Sequence, residues 1–308
     1  MTNPRQSANR ICTAILCCLL VAAGPIWAQQ PQRSRTVSPP GRGRNLALVA
    51  EPNTIIWIDD IRRGVTDSNG LLKLQLSAGA HTLRARAMGF KEISMPISAA
   101  QREGLNLRLV RTTDQAELLF QRAENARETA RDDVGRQTSA DLYREAIKLR
   151  PAFPSAHVGL ARVLLDMNDT NGALAEVDAA RRSRAIYPEA SAVEGRIYRE
   201  TGQTDEAIGA FNRAIREAHG FQPEAHVGIG RVYEDKGEFE LAAREFKIAI
   251  DQLADTEPII YQLLGAAYEK SGNNAAAITA YENYLRLAPN GSLAPAVRSI
   301  VEQLKSQP

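Results

Sequence analysis

Between Pro154 and Pro289 the sequence says nearly the same thing four times, and that periodicity leaves few folds open. Pro188, Pro223 and Pro258 stand 35 residues apart, and Gly195, Gly230 and Gly265 keep the same interval. Each of these glycines has a Tyr three positions later (Tyr198, Tyr233, Tyr268). A second glycine series (Gly202, Gly237, Gly272), an alanine series (Ala207, Ala242, Ala277) and an aromatic series (Phe211, Phe246, Tyr281) follow in unchanged register. Self-similarity at this period is the mark of a solenoid.

The residue types make sense as a helix pair. Pro opens the first helix, where its missing N–H costs nothing, and Gly and Tyr three apart share one face of it. The Gly is expected to let two backbones approach closely. Gly202, Gly237 and Gly272 end that helix in a left-handed turn that other residues enter with strain. A second helix carries Ala and an aromatic on one stripe. A single pair cannot bury such a stripe, but stacked pairs can.

The combination resembles the tetratricopeptide repeat, best over 188–222, 223–257 and 258–289, the last with Tyr261, Leu264-Gly265, Tyr268, Gly272, Ala277, Tyr281 and Pro289. The unit at Pro154 departs, with Ala161 and Leu164 in place of the Gly and Tyr, and Tyr284 stands where a small residue is usual. Residues 114–151 read as a divergent first unit with its second helix at Ser139–Arg150. Ser292–Gln307 reads as a capping helix with a stripe of Leu293, Val297, Ile300, Val301 and Leu304. The resemblance implies an α-α solenoid of about five helix pairs plus a cap over 112–308.

Residues 1–28 have the pattern of an export signal. Arg5 and Arg10 precede an apolar run, Ile11–Ala23, and a small residue, Ala28, precedes a cut expected before Gln29. The alternative is an uncleaved anchor, for which the run is short. Cys12, Cys17 and Cys18 all lie in this segment, so the remainder has no thiol to form a disulfide, bind zinc or act as a nucleophile. The segment carries two Arg and no acid, so its loss takes the formal charge from +2 to zero, which argues against nucleic acid as a partner. Residues 29–44, with Pro31, Pro39, Pro40 and Arg33, Arg35, Arg42, Arg44, bury too little to fold. They are either a solvated linker or a basic tether for anionic lipid or cell-wall polymer.

From Asn45 the pattern changes to short β-branched runs: Leu46–Ala50, Thr54–Ile58, Leu72–Leu76, His81–Ala87, Glu92–Ile97 and Leu105–Val110. Turn signals at Asp59-Asp60, Asp67-Ser68-Asn69-Gly70, Ser77-Ala78-Gly79 and Met88-Gly89 separate them. The expectation is a small antiparallel β-sandwich over 45–111. Glu51-Pro52, Ile56-Trp57-Ile58-Asp59, Gly64, Ala78-Gly79-Ala80-His81 and Gly89-Phe90 make this stretch similar to the PEGA domain, a resemblance that implies bacterial surface association.

No nucleophile elbow, phosphate-cradling glycine loop or His-Glu-x-x-His helix occurs, so neither an enzyme nor a small-molecule substrate is expected, and no cofactor. His157 and His226 occupy equivalent places in two units, too far apart to share a metal, and are read as packing residues, so no metal is expected either. Surface chemistry is what remains. Arg162, Arg196 and Arg231 fall at the ninth place of three units, which in the resembled repeat faces the groove, with Arg199 beside Arg196. They would suit the carboxylates of an acidic segment or chain terminus. The competing reading pairs them with Asp166, Glu200 and Asp235 four residues on. Trp57 alternates against Ile56 and Ile58 and is either an exposed contact for sugar or a partner, or buried beneath a neighbouring element. The whole predicts a non-enzymatic exported scaffold that binds other envelope proteins through the solenoid groove. The alternative is a cell-wall glycan binder acting through the sandwich.

Overall fold

The computed structural model describes residues 44–59, 61–76, 79–253 and 257–306. The expectations for residues 1–28 and for most of the basic stretch after them lie outside the described residues.

Among the described residues seven strands come first: β1 (Arg44–Val49), β2 (Ile55–Ile58), β3 (Ile61–Val65), β4 (Leu71–Leu76), β5 (His81–Arg86), β6 (Ile93–Ile97) and β7 (Leu105–Asn106). They make a three-stranded sheet, β4-β1-β7, and a four-stranded sheet, β3-β2-β5-β6. Period-two alternation puts Leu46, Leu48, Leu74 and Leu76 of the first sheet and Ile56, Ile58, Leu83, Ala85 and Ile97 of the second into one shared core. All pairings are antiparallel except β1 with β7, which is parallel. The sequence did not announce β3. Its run Ile61-Arg62-Arg63-Gly64-Val65 lacks visible alternation, and a register shift opposite Ile56 and Trp57 lets it pair with β2 after a tight turn in which Asp59 has φ +52°. The last strand is shorter than expected; beyond it an isolated bridge joins Phe90 to Arg111.

Eleven helices follow among the described residues: α1 (Gln115–Thr129), α2 (Asp133–Leu149), α3 (Pro154–Asp166), α4 (Thr170–Ser183), α5 (Pro188–Glu200), α6 (Thr204–Glu217), α7 (Pro223–Asp235), α8 (Phe239–Leu253), α9 (Pro258–Lys270), α10 (Asn274–Leu287) and α11 (Ala294–Ser306). They are five pairs and a cap, the solenoid that the repeat predicts. Pro stands at the first turn of α3, α5, α7 and α9. Gly202, Gly237 and Gly272 have φ between +76° and +79°, and Asn168, which tolerates that region, fills the equivalent place after α3.

The recurring glycine has a different physical basis from the one expected. A side chain on Gly195 would strike the Phe211 ring at 2.7 Å, and on Gly230 the Phe246 ring at 2.5 Å. Each glycine therefore admits the aromatic of its own second helix rather than a second backbone. In the Pro154 unit Ala161 and Val177 stand at the equivalent places and are both buried in one core. In the first unit α2 begins at Asp133, six positions before the expected start, because the Asp132 carboxylate accepts from the Gly135 amide as a cap. The cap helix begins at Ala294, which is buried in place of Leu293.

Candidate protein-binding surface

The first helix of every pair faces the same way. Residues of α1, α3, α5, α7 and α9 together border one cavity of about 560 Å3, which stacked helices can do only from the inside of a curve. The far wall is the outer face of sheet β3-β2-β5-β6. Alternation that turns Leu83 and Ala85 inward turns Arg84 and Arg86 outward, and register places Trp57 between Arg84 and Arg62. Trp57 is half-buried, with the Arg84 and Arg86 guanidiniums 4.4 and 5.0 Å from its ring centroid. Burial against neighbours is the better of its two readings.

Ion pairs cross from this sheet to the solenoid. Arg62 meets Glu128 at 2.9 Å, Arg84 meets Glu189 at 3.4 Å and Arg86 meets Glu124 at 3.4 Å while also holding Glu92 at 2.7 Å. Arg86 is 5% exposed and lies 4.5 Å from the Phe120 ring centroid. Burial by itself would lower its pKa, but Glu92 and Glu124 outweigh that and raise it. Glu124 is held below the carboxylate range despite burial, by Arg127, by Arg86 and by a hydrogen bond from the Tyr143 hydroxyl. These residues escaped sequence reasoning because the two halves of each pair lie far apart in the chain. The outward alternation of Arg84 and Arg86 was the available signal.

The groove arginines are placed as follows. Arg162 lines the cavity, is 24% exposed and reaches across α5 to Glu224 on α7 at 3.5 Å. Burial opposes its charge, yet Glu224, Glu189 and Glu124 raise its pKa. Arg196, 42% exposed, borders a second, more polar recess with Asp166, Asn168 and Glu200, and donates to Asp166 at 2.7 Å and Glu200 at 3.0 Å. Arg199 pairs with Asp235 at 3.5 Å and Arg231 with Glu234 at 3.1 Å. Of the three i, i+4 pairs read from the sequence, Arg196 with Glu200 forms. Arg162 instead reaches an alternate first helix and Arg231 takes Glu234, while Asp235 is held by Arg199 of the neighbouring first helix.

The histidines are structural partners of carboxylates. His157 Nδ1 lies 2.5 Å from Glu176 and its Nε2 donates to the Pro151 carbonyl at 2.9 Å. His226 Nδ1 likewise lies 2.7 Å from Glu245. Among the described residues no cluster of His, Cys, Asp or Glu could hold a metal ion.

The sequence model of the tetratricopeptide repeat matches three times, over residues 158–223, 192–258 and 227–292. Residues 158–292 are tetratricopeptide repeats. Solved structures agree on the fold of the repeats. A thermophilic tetratricopeptide repeat protein of Thermus thermophilus is 20% identical with a TM-score of 0.52, over 62% of this chain and all of that one. The Cut9–Hcn1 hetero-tetramer of the APC/C contains a chain 16% identical with a TM-score of 0.53, over 63% of this chain and 37% of that one. Pseudomonas aeruginosa PilF is 13% identical with a TM-score of 0.51, over 62% and 88%. Curated protein sequences gave no match. Proteins built from repeats of this kind bind other proteins or peptides. Among the described residues no helix is long and apolar enough to cross a membrane.

Proposed function

We propose that this is a non-enzymatic exported adaptor that holds a protein of the bacterial envelope in the groove of its tetratricopeptide repeats. The observation that carries the reading is the convergence of five first helices on one hollow lined by Arg162, with Arg196, Arg199 and Arg231 carried on two of those helices, α5 and α7. The partners of Arg196 and Arg199, Asp166 and Asp235, are partly exposed carboxylates, pairs that an incoming acidic segment or chain terminus exchanges at little cost, while Arg231 is itself 42% exposed but holds a buried carboxylate, Glu234. Arginine's planar fork then grips a partner carboxylate through two N–H groups. Export is supported by Arg5, Arg10 and the apolar run Ile11–Ala23, and a role at the envelope by the likeness of residues 45–110 to the PEGA domain. Glycan stacking on Trp57 is the weaker reading, because that ring is turned toward the solenoid and overlain by arginines.

The test is affinity capture from envelope extract with the wild-type chain and with Arg196→Ala, Arg199→Ala, Arg231→Ala together. A partner held by the first and lost by the second, and itself losing capture when its acidic segment is neutralised, supports the reading. Equal capture by both chains removes the arginines from the site. Retention of isolated cell-wall sacculi by the wild type and its loss in Trp57→Ala would favour the glycan reading instead.

A further inference from the structure

The sheet that walls the cavity is fastened to the solenoid in two different ways. On the α1 side, besides the exposed Arg62–Glu128 ion pair, the attachment is buried and specific. Buried Gln121 accepts from the Gly89 amide at 2.8 Å and donates to the Phe90 carbonyl at 2.7 Å, and buried Arg86 is set between Phe120 and Trp57. Thr112 closes the link by donating its amide to the Gly89 carbonyl, two residues before the cap of α1. Across the cavity, on the α5 and α8 side, the described contacts are long and polar: Arg84 to Glu189 and the Arg63 guanidinium to the Leu253 carbonyl, both at 3.4 Å. The cavity lies between these two sides. No apolar core is shared either; among the described residues, the sandwich core and the solenoid cores are separate clusters. Modules joined without a large apolar interface move relative to one another.

We propose that sheet β3-β2-β5-β6 is a lid hinged on α1 at Gln121 and Arg86, which closes over the half of the groove that holds Arg162 and lifts to admit the partner. The inference rests on the groove reading for what enters, and on geometry alone for the lid. Closed, the lid leaves Arg162 engaged with Glu224 inside the hollow, and only the exposed arginines further along are in reach. Lifting breaks the Arg84 and Arg63 contacts and leaves the Gln121 clamp made. The Arg84–Glu189 ion pair at that far edge weakens as salt screens it, whereas the amide hydrogen bonds of Gln121 do not.

The experiment uses the full chain with Trp27→Phe, so that Trp57 is the sole tryptophan. Acrylamide quenching of Trp57 and amide exchange are followed in this parent, in Arg63→Ala with Arg84→Ala, and in Glu189→Gln, which loosens the same edge without touching the sheet. Quenching should rise about twofold or more in both variants, and in the parent when salt goes from about 0.1 M to about 1 M, shortening the screening length from about 10 Å to about 3 Å. Exchange at Gly89 should stay as slow as in the parent. Unchanged quenching in both variants and in salt overturns the lid, and faster exchange at Gly89 overturns the hinge. Tetraglutamate then serves as the probe of access. Binding to the Glu189→Gln chain about fivefold or more tighter than to the parent, and lost on adding Arg162→Ala, supports gating, whereas equal binding to both overturns it. If tetraglutamate binds neither, the acidic-partner reading fails and quenching still decides the lid.

Discussion

Replacing Arg86 by Met keeps the aliphatic stem between Phe120 and Trp57 and removes the guanidinium from a site where its side chain is 6% exposed. Two carboxylates lose their cation: Glu92 at 2.7 Å and Glu124 at 3.4 Å. Breaking one side of a buried ion pair costs about 3–5 kcal/mol, because the other charge is left in a poor dielectric. Here Glu124 keeps Arg127 at 3.5 Å and the Tyr143 hydroxyl, and Glu92 is partly exposed, so the low end applies, about 3 kcal/mol. That is roughly a 150-fold fall in the local folding constant. Amide exchange in β5 and α1 is the assay, since a chain with two modules need not unfold in one step. Adding Glu124→Gln removes the stranded charge and should return about 1 kcal/mol or more. The acid limb has a definite sign. The native Glu124 pKa lies below its unfolded value, so its contribution is present above the ordinary Glu range and lost as pH falls through the lowered native value. In Arg86→Met that loss should begin at higher pH. A change under about 0.5 kcal/mol with no shift of the acid limb would refute the claim that a buried charge joins the sheet to α1.

Two further substitutions test the packing and the histidines. Gly230→Ala forces a methyl against Phe246 and should cost about 1–3 kcal/mol in denaturant unfolding, whereas Gly209→Ala, on α6 with open space around it, should gain about 0.5–1 kcal/mol. For His157, burial alone would lower the pKa, but the Glu176 hydrogen bond and the Pro151 carbonyl raise it. A raised native value means stability that is full below the unfolded His pKa of about 6.5 and lost as pH rises through the native one. The melting gap between wild type and His157→Gln should therefore be wider at about pH 6 than at about pH 9, and a gap that does not change with pH would refute the paired imidazolium.

How much was legible in the sequence follows from how local each feature is. The helix pairs could be read because Pro at the start, a left-handed residue at the end and an aromatic stripe are decided within one unit. The glycine's true neighbour could not, since Gly195 and Phe211 meet only after the two helices fold back on each other. Strand β3 was hidden because its register shift interrupts the alternation that identifies strands. The wall of the groove was hidden for a stronger reason: Arg84 and Glu189 stand 105 residues apart, and no spacing rule links a strand of one module to a helix of another. The arginines stand on the first helices of successive units, but the partners expected for Arg162 and Arg196 lay along the chain, whereas Arg162 takes Glu224 and Arg196 adds Asp166 from other helices.

The cross-helix pairing of the groove arginines raises the question of whether they brace the solenoid or serve a partner, and magnitude separates the two. Exposed pairs such as Arg196 with Asp166 or Arg199 with Asp235 contribute about 0–1 kcal/mol each. Truncating one aromatic of the stack, Phe211 or Phe246, costs about 3–5 kcal/mol, so the apolar stripe and not the ladder holds the units together. Replacing Arg196, Arg199 and Arg231 with Ala should lower unfolding stability by no more than about 1–2 kcal/mol and leave a cooperative helical melt. Because stability is barely touched, a lost partner in that variant reports binding and not folding. A fall as large as that of Phe246→Ala would show instead that the arginines brace the superhelix, and the groove would need other residues to recognise its partner.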